Sequence, residues 1–177
     1  LIFDSDYYDN GGYPDSVNTG TYPAQNGGHI GVITTPSINC SGFNNLTLKF
    51  SSFYREYAGI AKIAFSINGG LNFIDTIIVY PNAIINTPTP NNEELSIQLP
   101  QSVSGVSDLR IQFIYDGTNM YNGYYGYYFW MIDDVRLIET QPYDLRLDEP
   151  SYAGMPTSTS LGINYSIKPF NQAQNNP

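Results

Sequence analysis

Tyr127-Tyr128-Phe129-Trp130-Met131-Ile132-Asp133-Asp134-Val135-Arg136-Leu137 is the most β-prone run of the chain and holds its only tryptophan. In a strand, successive side chains point to opposite faces. Met131, Asp133, Val135 and Leu137 therefore share one side, and Trp130, Ile132, Asp134 and Arg136 the other. On strict alternation a carboxylate lies on the core face or at its edge, whichever side is buried. An ionised carboxylate in an apolar interior must be paired, hydrogen-bonded, protonated or bound to a cation. A bound cation, backbone amides, or an ion pair with Arg110 or Arg136 would each answer that need.

The strands around this run have the same grammar. Leu1-Ile2-Phe3-Asp4 reads as a short strand, and Ile30 to Thr34 as another. Leu46 to Tyr54 sets Leu46, Leu48 and Phe50 against Thr47 and Lys49. Ile60 to Ile67 sets Ile63, Phe65 and Ile67 against Lys62, Ala64 and Ser66. Asn68-Gly69-Gly70 supplies a tight turn, and Asn72 to Tyr80 resumes as a strand. Pro81 to Asn92 is a Pro/Asn/Thr-rich connection. Glu94 to Leu99 and Leu109 to Tyr115 alternate again. No window carries capped i, i+3, i+4, i+7 spacing, so little helix is expected. About eight or nine strands without βαβ spacing predict an all-β, antiparallel jelly-roll β-sandwich over residues 1–139.

Between the first two strands, Ser5 to Gly28 reads as a long surface loop. With Asp4 it carries Asp6, Asp9 and Asp15 and no Lys or Arg. At the other end, Glu139-Thr140-Gln141-Pro142 reads as a linker. Residues 143–177 hold two or three strands, too few to bury a core alone, and read as the start of a second β-domain, truncated. The start at Leu1 and the close on Asn-Asn-Pro fit a piece of a longer polypeptide.

Sixteen acidic against seven basic residues give a formal net charge of -9, which argues against nucleic acid and anionic membrane surfaces as partners. No apolar run approaches the roughly 20 residues of a membrane span, so no membrane insertion is expected. Cys40 is the only cysteine, which excludes an intrachain disulfide, and its setting reads as a small buried hydrophobe. His29 is the only histidine and has no recognisable nucleophile motif beside it. Asp133 and Asp134 point to opposite faces and cannot flank one scissile bond, so no enzyme is expected. A different signal comes from Asn119 to Tyr128, where glycine-spaced tyrosines, Tyr121, Tyr124 and Tyr125 among them, could offer flat faces to sugar rings.

The opening Leu1-Ile2-Phe3-Asp4-Ser5-Asp6, the middle Ser66-Ile67-Asn68-Gly69-Gly70-Leu71-Asn72-Phe73 and the closing Trp130-Met131-Ile132-Asp133-Asp134-Val135 resemble the MAM-like, cleaved-adhesin-like jelly rolls of Bacteroidetes surface and secreted proteins. Asn68 and Phe73 stand where that family's middle motif usually has Asp and Trp. The resemblance covers roughly residues 1 to 138. It implies a galactose-binding-like jelly roll with structural calcium held by Asp4, Asp133 and Asp134, with Asp6 as a further ligand. Calcium takes about six to eight oxygens, so carboxylates from both ends of the domain would fasten its termini together, and Glu56 could add an oxygen from a neighbouring loop.

Residues 143–177 resemble the Ig-like modules that follow such domains. Asp15-Ser16-Val17 and Asp75-Thr76-Ile77 match the short periplasmic O-glycosylation signal of that phylum, at Ser16 and Thr76. Asn45-Leu46-Thr47 and Asn164-Tyr165-Ser166 fit the N-glycosylation pattern, which loses its weight in a bacterium. The function implied is a non-catalytic structural or adhesive module of a large multidomain protein, extracellular or at the cell surface. The alternative is a carbohydrate-binding module attached to a secreted enzyme. Expected partners are other domains of the same polypeptide, surface glycans, host or environmental proteins, and the secretion machinery.

Overall fold

The computed structural model describes residues 1–4 and 28–140, which lie in a compact unit spanning Leu1–Glu139 and the residue after it. The second β-domain expected over 143–177 and the acidic loop from Ser5 lie outside the described residues, as do Asp6 and Ser16.

Among the described residues ten strands run in chain order: β1 (Ile2–Asp4), β2 (Ile30–Thr34), β3 (Leu46–Tyr57), β4 (Ile60–Ser66), β5 (Ile74–Ile78), β6 (Glu93–Gln98), β7 (Arg110–Asp116), β8 (Met120–Tyr121), β9 (Tyr124–Tyr125) and β10 (Tyr127–Glu139). No α-helix occurs among the described residues, only a single 3-10 turn at Gln101–Val103. One sheet has the order β1-β10-β3-β6 and the other β2-β7-β4-β5, every pair antiparallel, while β8 and β9 form a separate hairpin. The chain passes repeatedly from one four-stranded sheet to the other, and together they make the all-β sandwich that the alternating pattern predicted.

Apolar side chains from both sheets meet between them. Trp130 of β10 is fully buried, with Phe3 stacked on it at 5.7 Å between ring centroids and Phe113 of the opposite sheet at 5.9 Å. Its indole N–H donates to Ser52 Oγ at 3.0 Å, which satisfies the one polar group that so large an apolar side chain brings inside. Cys40 is buried as expected, and burial pushes its thiol pKa up.

β10 departs from the expected alternation. Asp133 faces Ser51 of β3 and Arg136 faces Lys49, so β10 advances three residues while β3 advances two. This is a β-bulge, and Asp134 within it has a φ of 50°, a left-handed conformation that Asp tolerates better than most residues. The bulge changes which parity points inward. Trp130 and Ile132 are buried before it, and Leu137 packs on the core after it. Asp133, Asp134 and Arg136 are all exposed, so no carboxylate of this strand lies on the core face. Arg136 pairs with Glu94 at 2.9 Å and Arg110 lies 3.7 Å from Asp108, so neither arginine takes up the Asp133 partnership considered from sequence.

β4 also departs from pattern, since Ala64 and Ser66 are buried and Ile67 is exposed. The strand ends at Ser66, whose Oγ accepts the N–H of Gly70 at 2.9 Å and so closes the turn that Gly69 and Gly70 make at φ of 75° and 86°.

Candidate functional site

The elements converge at one end of the sandwich. β3 and β4 belong to different sheets, and only Ala58 and Gly59 separate them, so the chain turns a sharp corner there. Ala58 takes a φ of 68° to make the turn. Gly59, Gly117 and Gly126 pack backbone to backbone beside it. A Cβ on Gly126 would lie 2.7 Å from the Cα of both Gly117 and Gly59, and one on Gly59 would overlap the Tyr115 hydroxyl. The Gly126 N–H donates to Gly117 O at 2.9 Å, and the Tyr115 hydroxyl donates to Tyr127 O at 2.7 Å. This close approach anchors the β8–β9 hairpin to the sandwich end. The hairpin turns at Asn122 and Gly123, with φ of 49° and 85°, the pairing of angles that a two-residue hairpin favours.

A group of four tyrosines forms over that anchor. Tyr57, the last residue of β3, stacks on Tyr127, the first of β10, at 4.8 Å with 7° between the rings. Tyr121 and Tyr124 of the hairpin meet Tyr57 edge-on at 5.7 Å and 6.2 Å, and they remain 45% and 44% exposed. Tyr121 and Tyr124, singled out in the sequence, are thus both exposed and both in contact with Tyr57. Tyr125 is partly buried, and the structure brings in Tyr57 and Tyr127 instead. Tyr57 was missed because it lies about 65 residues upstream, and its alternation with Glu56 was the signal available. Arg55 extends the surface, its guanidinium 4.1 Å from the centre of the Tyr128 ring.

Beside the tyrosines, with Tyr121 on its wall, lies an open cavity of about 350 Å³. Tyr54, Glu56 and Tyr80 contribute to its lining, and the Tyr54 and Tyr80 rings stack at 4.7 Å. The Tyr54 hydroxyl donates to Gly59 O at 2.8 Å and that of Tyr80 to Ser52 Oγ at 2.7 Å, fixing both rings. Glu56 is only 5% exposed. Burial raises its pKa, against the amides of Ala58 and Gly59 at the corner, which favour the charged form. Burial likewise pushes Tyr80 up to about 12. No cation is paired with Glu56 among the described residues.

The acidic residues expected to hold calcium are arranged differently. Asp4 faces Phe129 across the β1–β10 pair, four residues short of Asp133, which at about 3.3 Å per residue is about 13 Å. Those two carboxylates do not meet at one ion, whose oxygens sit about 2.3–2.6 Å from the metal. Asp133 Oδ1 accepts the N–H of Asp134 at 2.9 Å, and Glu56 lies on the core side of β3, apart from the exposed bulge. No three His, Cys, Asp or Glu side chains converge among the described residues. Beside Asp133 runs a shallow groove of about 410 Å³ that includes Ser51, Phe53, Asn91 and Met131.

Thr76 is exposed on the edge strand β5, inside a second bulge where β4 advances from Ile63 to Phe65 while β5 runs from Ile77 to Ile74. His29 is exposed just ahead of β2. Comparison of the chain with protein-family models and with curated proteins returns no match.

Proposed function

We propose that this chain is a non-catalytic adhesive module of a large cell-surface or secreted protein and that it makes contact through the tyrosine surface at the corner end of the sandwich. The observation that carries this reading is the set of three tyrosine rings packed around that of Tyr57, two of them nearly half exposed. Rings held in place by one another lose little conformational freedom on binding, which favours contact surfaces built from tyrosine. The MAM-like jelly roll, the bacterial source, the extracellular location and the following Ig-like module belong to the same reading. They rest on the sequence motifs around Asp4, Gly69 and Trp130.

A second reading, as a carbohydrate-binding module, is favoured by the exposure of Tyr121 and Tyr124, since ring faces and hydroxyls suit neutral sugars. Thr76 is the position for an O-linked glycan in this scheme, supported by its exposure on an edge strand. Structural calcium would draw on Asp133 and Asp134 at the bulge. The separation from Asp4 removes that residue from a shared site.

The experiment is adhesion of the intact chain to immobilised neutral oligosaccharides and to protein-coated surfaces, repeated for Tyr124→Ala and Tyr57→Ala. Loss of about tenfold in retention on one surface, with the melting temperature within a few degrees of the parent, supports the tyrosine contact and names its partner class. Retention unchanged on both surfaces overturns it.

A further inference from the structure

The open cavity beside the tyrosines has a chemistry of its own. Its walls are largely aliphatic and aromatic, with Ile60, Ile78 and Pro81 beside Tyr54 and Tyr80, and Asn119 and Tyr121 also line it. Among the described residues a single carboxylate, Glu56, stands in this lining, at 5% exposure. At about 350 Å³ it lies near the lower end of the range of small-ligand pockets, about 300–1,000 Å³.

We propose that this cavity binds a primary alkylammonium group, as a lysine side chain carries, with Glu56 as its counter-ion. A buried charge is stable when paired and hydrogen-bonded, and an ammonium brings three donors at the end of an apolar stem that matches the walls. Divalent metal fits poorly, because about six to eight oxygens are needed and no second carboxylate among the described residues lines the cavity. Sugar fits poorly for a similar reason: its many hydroxyls would face aliphatic walls. A guanidinium wants a carboxylate with both oxygens open to a fork, whereas the Ala58 and Gly59 amides lie close enough to Glu56 to favour its charged form. The site goes beyond the tyrosine contact, with which it shares Tyr121, and its test reads Glu56 rather than that contact.

The test follows the amide resonances of Ala58 and Gly59 by NMR while the intact chain is titrated with three probes: Nα-acetyl-lysine methylamide, the Nζ-acetylated form of the same compound, and n-butylammonium. The expected result is saturable shifts with the charged lysine probe, at least tenfold weaker binding of the Nζ-acetylated form, and loss of that discrimination in Glu56→Gln. Tighter binding of the lysine probe than of butylammonium assigns the site to a lysine within a polypeptide, and the reverse order to a small free amine. Equal binding of the charged and neutral lysine probes, or no saturation by either amine, overturns the proposal. The probe comparison on the parent protein keeps it testable should Glu56→Gln fail to fold. Discrimination that survives in a folded Glu56→Gln also overturns it.

Discussion

Two stretches of the same paired strands treat carboxylates in opposite ways. At the corner, one carboxylate, Glu56 of β3, is carried inside next to Tyr54 and Tyr80. At the bulge, two adjacent carboxylates, Asp133 and Asp134 of β10, are turned out to solvent. The difference lies in how the backbone leaves regular alternation. A bulge adds a residue and lets the apolar parity resume beyond it, so charges can be dropped from the core face without ending the strand. A corner between sheets cannot skip a residue. It must satisfy the amides freed at the turn, and a carboxylate is a good acceptor for them.

The largest effect expected from this contrast is at the corner's glycine junction. Gly126→Ala sets a Cβ against backbone on two sides, and backbone cannot move aside as a flexible side chain can. The expected cost is about 3 kcal/mol or more in thermal or urea unfolding. A cost under about 1 kcal/mol would show that the corner is not rigidly packed.

Next is the pH dependence of Glu56. Its folded pKa is raised above the ordinary 4.5, so the folded state binds this proton more readily than the unfolded chain. The stabilising contribution is fully present below 4.5 and is lost as pH rises through the raised folded value. The difference in unfolding free energy between the parent and Glu56→Gln should therefore move in the parent's favour as pH falls across that window, and stay flat below it. A difference that falls on acidification would mean that the amides of Ala58 and Gly59 outweigh burial.

The bulge should respond far less. Asp134→Gly relieves a positive φ at an exposed site, offset by the greater freedom of glycine in the unfolded chain, so a change within about 1 kcal/mol is expected. A loss of several kcal/mol on removing this side chain would give Asp134 a tightly held partner. The smallest effect concerns Asp4 and Asp133. At about 13 Å apart, their alanine substitutions should add within about 0.5 kcal/mol in melts with calcium present. A coupling above about 1 kcal/mol would place both at one ion and restore the clasp.

Much of the architecture was legible in the chain itself. The period-two patterns of Leu46 to Tyr54 and Leu109 to Tyr115, the glycines of the Asn68 turn and the lack of helical spacing specify antiparallel strands locally, through side-chain direction and turn angles. Trp130 was readable as part of a buried strand, while alternation left open which face of that strand is the core. Tyr121 and Tyr124 were readable as surface because glycines and an Asn-Gly turn flank them.

Other features required the fold. The bulge at Asp134 depends on which residues of β3 lie opposite, so alternation alone assigned a carboxylate to the wrong environment. Tyr57 joins Tyr127 only because β3 and β10 pair over their full lengths, a contact that no local pattern encodes. Gly59, Gly117 and Gly126 are ordinary turn glycines in sequence, and only in three dimensions do their backbones meet. Glu56 read as a loop oxygen because its burial is set by the corner and by Tyr54 and Tyr80, one of them distant in sequence. Local sequence determined where strands form and which face of each is apolar, since those follow from backbone sterics and hydrophobic periodicity. The tertiary structure decided which polar groups are enclosed, because enclosure is a property of all the elements that meet at a point.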